Sequence, residues 1–169
     1  MLIEVPYNRD NALAYVNKWV FQYNPRYYNF DKIGGDCTNF ASQVLYAGCG
    51  VMNYDTNGWY YDNVNRRSPS WSGVEFLYQF LVSNRGCGPF GECVDVAGLQ
   101  PGDLVQLSLQ GNRFQHCPVV VDIKSPLSFD TVLVSTHSRD VHCYPLSSYR
   151  WADIRYIHIK GARKWNQSK

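Results

Sequence analysis

The sequence predicts a single α+β domain in which N-terminal helices pack on a C-terminal antiparallel sheet. The first half of the chain carries apolar residues at helical spacing, whereas β-branched runs bounded by turn residues dominate the second half. Helices followed by strands are typical of this fold class. The length of 169 residues suits one sizeable core and is too short for two ordinary domains.

Three helices are predicted, over residues 10–21, 37–47 and 72–83. Tyr15 and Trp19 lie four residues apart on one face of the first helix. Asp36 is placed to cap the second helix, which Gly48 and Gly50 would end. Ser72 and Glu75 have the spacing of a capping box at the start of the third helix.

Four strands are predicted, over residues 103–109, 117–123, 131–136 and 153–158. The second and third are expected to pair as a hairpin across the polar segment 122–130. Pro118 cannot donate a backbone hydrogen bond, so it indicates an edge or a bulge where the second strand begins.

Cys37 is the strongest candidate for a reactive residue. It opens the second helix directly after Gly34-Gly35-Asp36, and the glycines allow a sharp turn that leaves the sulfur accessible. The positive end of a helix dipole stabilises a thiolate, so the position predicts a lowered thiol pKa. Free cysteine often serves only as a small buried apolar residue. A nearby base is what would favour the catalytic interpretation.

His116 is the best candidate for that base, because it stands at the mouth of a predicted strand and can project into a cleft. His137 ends the neighbouring strand and is the candidate to orient the His116 imidazole, with Asp140 as the alternative third residue. The other two histidines, His142 in a polar loop and His158 on a terminal strand, are weaker candidates.

Aromatic residues make up 15% of the chain, and not all of them can be assigned to the core by periodicity. Trp59 and Tyr60 lie in a polar, glycine-punctuated stretch. Aromatic loops of this kind either line clefts that hold sugars or peptides or anchor a loop to the core. Trp59 and Tyr60 are therefore candidate substrate contacts, and Asp36, which precedes Cys37 in the sequence, is a third candidate.

The charge balance of 16 basic and 14 acidic residues argues against a nucleic-acid-binding protein. We expect a monomer without a membrane span. The six cysteines have no CxxC spacing and the histidines no HxxxH spacing, so neither a metal nor another cofactor is expected.

The first residues form no secretory signal, so the chain is expected to be cytosolic with reduced thiols or a domain of a secreted or cell-wall protein. Disulfides would be expected only in a secreted or cell-wall protein. In that case Cys87 and Cys93 could pair across Gly88-Pro89-Phe90-Gly91.

The chain resembles the putative amidase domain family of Gram-positive bacteria, relatives of the CHAP and NlpC-type cell-wall peptidases. The matching segments extend almost from end to end: 7–9, 24–28, 34–43, 58–61, 70–71, 101–104, the His116 strand, 136–137 and 145–149. The resemblance implies a papain-like architecture with Cys37 as nucleophile and His116 as base. Relatives use histidine, asparagine, glutamate or aspartate as the third catalytic residue, so His137 matches the family by its position in the sequence and not by an invariant residue type.

These residues predict hydrolysis of an amide through a thioester, with the Cys37 backbone amide as one oxyanion donor. The implied substrate is peptidoglycan, cut at the N-acetylmuramoyl-L-alanine amide or within the stem peptide. Two alternatives stay open: a cysteine peptidase acting on a non-wall substrate, and an inactive module that binds cell wall or peptides.

Overall fold

The computed structural model describes residues 1–166, which form a mixed α+β domain as predicted. The helices are α1 (Arg9–Trp19), α2 (Cys37–Cys49), α3 (Pro69–Ser72) and α4 (Val74–Ser83). The strands are β1 (Leu2–Val5), β2 (Tyr61–Asn63), β3 (Arg66–Arg67), β4 (Gly88–Val94), β5 (Leu104–Ser108), β6 (Val119–Ile123), β7 (Val132–Thr136), β8 (Val141–Pro145) and β9 (Asp153–Trp165). None of the helices in the described part of the chain could cross a membrane.

Strand β9 is the hub of the main antiparallel sheet. One of its edges pairs with β5 near its start and with β1 near its end, while the other edge pairs with β4. The sheet continues from β5 through β6 and β7 to β8. The expected hairpin of β6 and β7 is confirmed, with Val119 opposite Ser135.

Helix α2 forms the centre of the packing between the helices and the sheet. Every residue from Cys37 to Leu45 is buried, and Phe40 and Val44 share a core with Leu104 and Ile157 of the sheet. Neighbouring residues of β5 point to opposite faces, so Val105 packs in a second, smaller core on the other side.

All three predicted helices differ from the structure at their ends: α1 ends at Trp19 rather than at residue 21, and glycines change the bounds of the other two. Gly48 does not end α2: the helix continues to Cys49, and Gly50 ends it in the left-handed conformation at φ 68°. A Cβ at position 48 would lie 2.1 Å from the Tyr7 ring, so Gly48 is needed for close packing. Gly73 divides the predicted third helix into α3 and α4, and it occupies the N-cap of α4 in place of the expected capping box.

The segment that contains Cys87 and Cys93 forms a strand, which corrects the expected turn and disulfide. β4 begins immediately after Cys87, so the two cysteines lie at opposite ends of an extended segment. Both are free thiols. An extended segment of this length separates them by roughly 20 Å, far beyond the reach of a disulfide.

A buried carboxylate joins the start of α1 to the sheet. Asp103 is fully buried, and its Oδ1 accepts from Arg9 Nη1 at 2.8 Å and from the Ile159 amide at 2.9 Å. Its Oδ2 accepts from His158 Nδ1 at 2.8 Å and from the Gln100 amide at 2.8 Å. The carboxylate is therefore fully satisfied by hydrogen bonds from three parts of the fold.

We expect Asp103→Ala to lower the free energy of unfolding by about 3–5 kcal/mol, because it leaves Arg9 and two amides without their buried partner. Urea denaturation followed by circular dichroism measures the loss. The matched control is Glu92→Ala, which removes an exposed pair with Lys160 and should cost less than about 1 kcal/mol. Equal losses in the two variants would contradict the central role of Asp103.

Candidate active site

Cys37 lies at the first position of α2, and its side chain is only 6% exposed. The two residues Gly34 and Gly35 lead into the helix with φ of 85° and 101°, where residues with a side chain are strained. The predicted sharp turn is therefore present, but Cys37 is buried rather than accessible as expected. A Cβ at Gly35 would also lie 3.3 Å from Ser138 Oγ, so a glycine lets the β7–β8 turn approach the helix start.

The connection between β5 and β6 brings Gln115, the residue before His116, to Cys37. The Cys37 Sγ atom lies 4.0 Å from the carbonyl oxygen of Gln115 and 3.8 Å from Thr38 Oγ1. His116 follows directly and is held beside β5 by a bridge to Leu107. Within residues 1–166, no hydrogen bond joins the Cys37 thiol to the His116 ring. Such bonds often tighten only when substrate binds.

The environment of Cys37 favours the neutral thiol. Burial raises the pKa of Cys37, while hydrogen bonds from the Thr38 hydroxyl and from the Cys117 and Thr38 amides act in the opposite direction. The charge of Asp36 adds to the increase. The expected lowering of the thiol pKa by the helix dipole is therefore not found, because loss of water around the sulfur outweighs it.

His116 lies in a cleft of about 560 Å³, with its ring centroid 5.3 Å from that of Tyr149. Burial lowers the pKa of His116 to about 4, and the nearby charge of Arg139 contributes. The imidazole is therefore neutral at pH 7 and able to accept a proton.

His137 contacts a different set of groups from the predicted one. Its Nδ1 lies 2.7 Å from Asp36 Oδ2, its Nε2 lies 2.9 Å from the carbonyl oxygen of Trp19, and its ring stacks on Phe40 at 4.0 Å. Both ring nitrogens are therefore engaged away from His116. Asp140, the alternative third residue, accepts from the Tyr23 hydroxyl at 3.3 Å.

Both partners of the His137 ring are acceptors, so both ring nitrogens must carry hydrogen and the imidazole is charged. Burial lowers the pKa of His137, but the Asp36 carboxylate, the Trp19 carbonyl and Asp140 outweigh burial, and the pKa is raised overall. The pair places a positive charge at the carbonyl end of α1 and a negative charge at the amide end of α2. Both positions are favourable for the helix dipoles.

Asp36 is fully buried, which corrects its assignment as a substrate contact. It also does not cap α2 with its side chain. Its Oδ1 accepts from the Phe30 amide and from Asn39 Nδ2, each at 2.8 Å, while Oδ2 binds His137. The side chain is thus fully used in fixing the start of the helix.

Trp59 is also fully buried, so the core-anchoring alternative is correct for this residue and the substrate contact is not. Its Nε1 donates to Ser42 Oγ at 3.0 Å, and its ring packs against Trp71 at 4.7 Å. Tyr60 is partly exposed and stacks on Tyr54 at 4.8 Å. The cleft beside His116 is lined instead by residues of the β7–β8 turn and of the segment before β9.

Comparison with known protein families shows the family to which this chain belongs. The profile of the putative amidase domain matches residues 6–160. The chain belongs to this family. The chain is also similar to the uncharacterized protein YhbB of Bacillus subtilis (strain 168), with 31% identity over 119 residues. That match covers 68% of the chain but 37% of YhbB, so the matched region spans about a third of this relative. No solved structure matches the chain.

Of the residues that line the cleft, only His116 was a candidate from the sequence; Arg139, Tyr149 and Arg150 are the other titratable ones. Burial raises the pKa of Tyr149 to about 12, with a contribution from Cys37, so the phenol stays protonated. Tyr149 lay within a segment matched to the family, but no local pattern connects it to His116. Only the sheet brings them together.

The His137–Asp36 pair predicts a specific dependence of stability on pH. The folded pKa of His137 is raised, so its contribution is complete below the unfolded value of about 6.5 and is lost as pH rises through the folded pKa. Wild type should therefore lose stability with rising pH, and His137→Gln should lack this component. Urea unfolding of both proteins between about pH 6 and 9 tests this sign. Parallel profiles would contradict a charged His137.

Proposed function

We propose that this chain is a cysteine-dependent hydrolase of peptide amides. The observation that carries this proposal is the approach of the Gln115–His116 segment, which lines a cleft, to the buried Cys37 at the start of α2. A thiol at a helix start and a neutral imidazole in the connection between β5 and β6 supply a nucleophile and a base. The packing of α2 on an antiparallel sheet supports the papain-like architecture implied by the resemblance to CHAP and NlpC-type peptidases.

The reaction begins with both groups neutral. As Cys37 Sγ attacks the amide carbonyl, the thiol proton passes to His116. His116 then donates this proton to the leaving amine, and the acyl group remains on sulfur as a thioester. Water attacks the thioester, giving its proton to His116, and the carboxylic acid leaves as the thiol is restored.

The oxyanion that forms in each step needs hydrogen-bond donors. The first amides of α2 have no carbonyl partner within the helix, and the Cys37 amide is the nearest to the reacting carbon. One such donor contributes roughly 3 kcal/mol to transition-state stabilisation.

His137 has a positioning role in this proposal. It holds the Asp36 carboxylate, which in turn binds Asn39 and the Phe30 amide around the first turn of α2. The pair thereby fixes the direction in which the first amides and the Cys37 sulfur point. Asp140 would add negative charge near the same imidazole.

The substrate we propose is peptidoglycan, on the strength of the resemblance to cell-wall peptidases. The test is mass spectrometry of purified Gram-positive peptidoglycan after digestion. Wild type should release new muropeptide ends, which identify the cleaved amide, and Cys37→Ala should release none.

Cys49→Ala is the matched control, because Cys49 ends the same helix and donates to the Val51 carbonyl, away from the cleft. It should retain turnover. Turnover by Cys37→Ala would overturn the mechanism. An inert wild type with a rapidly alkylated Cys37 would point to a different amide, and an unreactive Cys37 would favour a binding module.

The pKa of His116 predicts the acidic limb of the pH profile. Protonated His116 cannot accept the thiol proton, so kcat/KM should fall as pH drops through about 4, well below the ordinary histidine value. Steady-state rates on a soluble muropeptide between about pH 3.5 and 8 measure this limb. His116→Gln should remove the activity without unfolding the domain. A limb centred near the ordinary histidine value would contradict this assignment.

A further inference from the structure

Two arginines line the cleft beside His116 and have no hydrogen-bond or ion-pair partner for their side chains among residues 1–166. Arg139 lies in the turn between β7 and β8, and Arg150 lies just before β9. Both are exposed. Neither forms an ion pair with any carboxylate of residues 1–166. Arg26, Arg67, Arg85 and Arg113 also form none, whereas Arg9, Arg66, Arg155 and Arg163 each do.

The cleft therefore has a positive charge that nothing in its walls offsets. None of its described lining residues is acidic. The charge of Arg139 also acts on its neighbours in the cleft. Burial is the larger cause of the low pKa of His116, and Arg139 lowers it further; Arg139 also opposes the increase in the pKa of Tyr149. An anion in the cleft would thus lie within electrostatic range of both.

The backbone at Arg139 is unfavourable for an arginine. Ser138 and Arg139 have φ of 63° and 87°, as in the primed turns of hairpins, where glycine and asparagine are preferred. Ser138 is explained by its hydroxyl, which accepts from the Asp36 amide at 2.6 Å and donates to Asp31 at 2.8 Å. Arg139 has no such contact. Strain of this kind is concentrated at functional sites.

We propose that Arg139 and Arg150 bind a carboxylate that the substrate carries beside the scissile amide, so that the site selects acidic peptides. The guanidinium group presents parallel donors that match the two oxygens of a carboxylate. This inference rests on the proposed function and adds the chemical class of the substrate to it.

The first test measures charge selection without any hydrolysis. Cys37 is alkylated with iodoacetate, which is anionic, or iodoacetamide, which is neutral, and its modification is followed by peptide mass spectrometry. Arg139→Gln combined with Arg150→Gln should slow the iodoacetate reaction about fivefold while leaving the iodoacetamide reaction unchanged.

Two controls accompany the alkylation. Arg66→Gln removes an arginine of β3 that pairs with Asp62 of β2 and should change neither rate. Cys93, exposed on β4, serves as the internal reference thiol. An unchanged ratio of the two rates at Cys37 in the double variant would overturn the proposal.

The second test uses peptide substrates in which each carboxylate is converted in turn to a carboxamide, which separates side-chain from terminal carboxylates. Wild type should show a KM about tenfold lower for the one acidic form that fits, and the double variant should lose this preference. Equal cleavage of all forms would overturn the carboxylate proposal and leave the hydrolase intact. Cleavage of none would overturn the hydrolase, and the alkylation ratio would still decide anion binding.

Arg139→Gly separates loss of charge from loss of fold. Glycine adopts positive φ without strain, so this variant should melt at a higher temperature than wild type and yet lose the preference for iodoacetate. A lower melting temperature would contradict the argument from backbone strain.

Discussion

The ion pair between Asp36 and His137 is the constraint on which the site depends. Its two residues are 101 positions apart in sequence, and the pair joins the carbonyl end of α1, the amide end of α2 and the residue that follows β7. The two groups of such a buried pair stay in contact, because either charge would be strongly destabilising in the interior without the other. The start of α2 consequently has one position relative to the sheet, and the Cys37 sulfur has one position relative to the Gln115–His116 segment.

The charged and neutral groups around the site are arranged in three zones. Behind the helix start lies a compensated pair in which both charges are buried. In front of it, Cys37 and His116 are both neutral, because burial disfavours the charged form of each. At the rim, Arg139 and Arg150 are charged and exposed. The charge of Arg139 still contributes to the low pKa of His116, and the charge of Asp36 to the raised pKa of Cys37.

Short sequence patterns predicted some elements of the fold correctly and failed to predict others. The apolar period after Asp36 predicted α2, and the β-branched runs predicted the β6–β7 hairpin. Strand β4 was missed because Gly88, Pro89 and Gly91 have the composition of a turn, and only pairing with β9 makes the segment extended. The partner of His137 and the burial of Trp59 are set by residues distant in sequence, which no local pattern specifies. The lowered pKa expected for Cys37 failed for the same reason: desolvation depends on what packs around the sulfur.

Ribosomal synthesis delivers β9 after every strand that pairs with it. Among the described strands, β1 and β4 have β9 as their sole partner, so each emerges with unpaired backbone groups on both edges. Exposed strand edges invite pairing with other chains, and sheets closed by long-range contacts form slowly. The nascent chain therefore depends on protection from aggregation until residues 153–165 are available, and a chain that stops before them should aggregate rather than form a smaller domain.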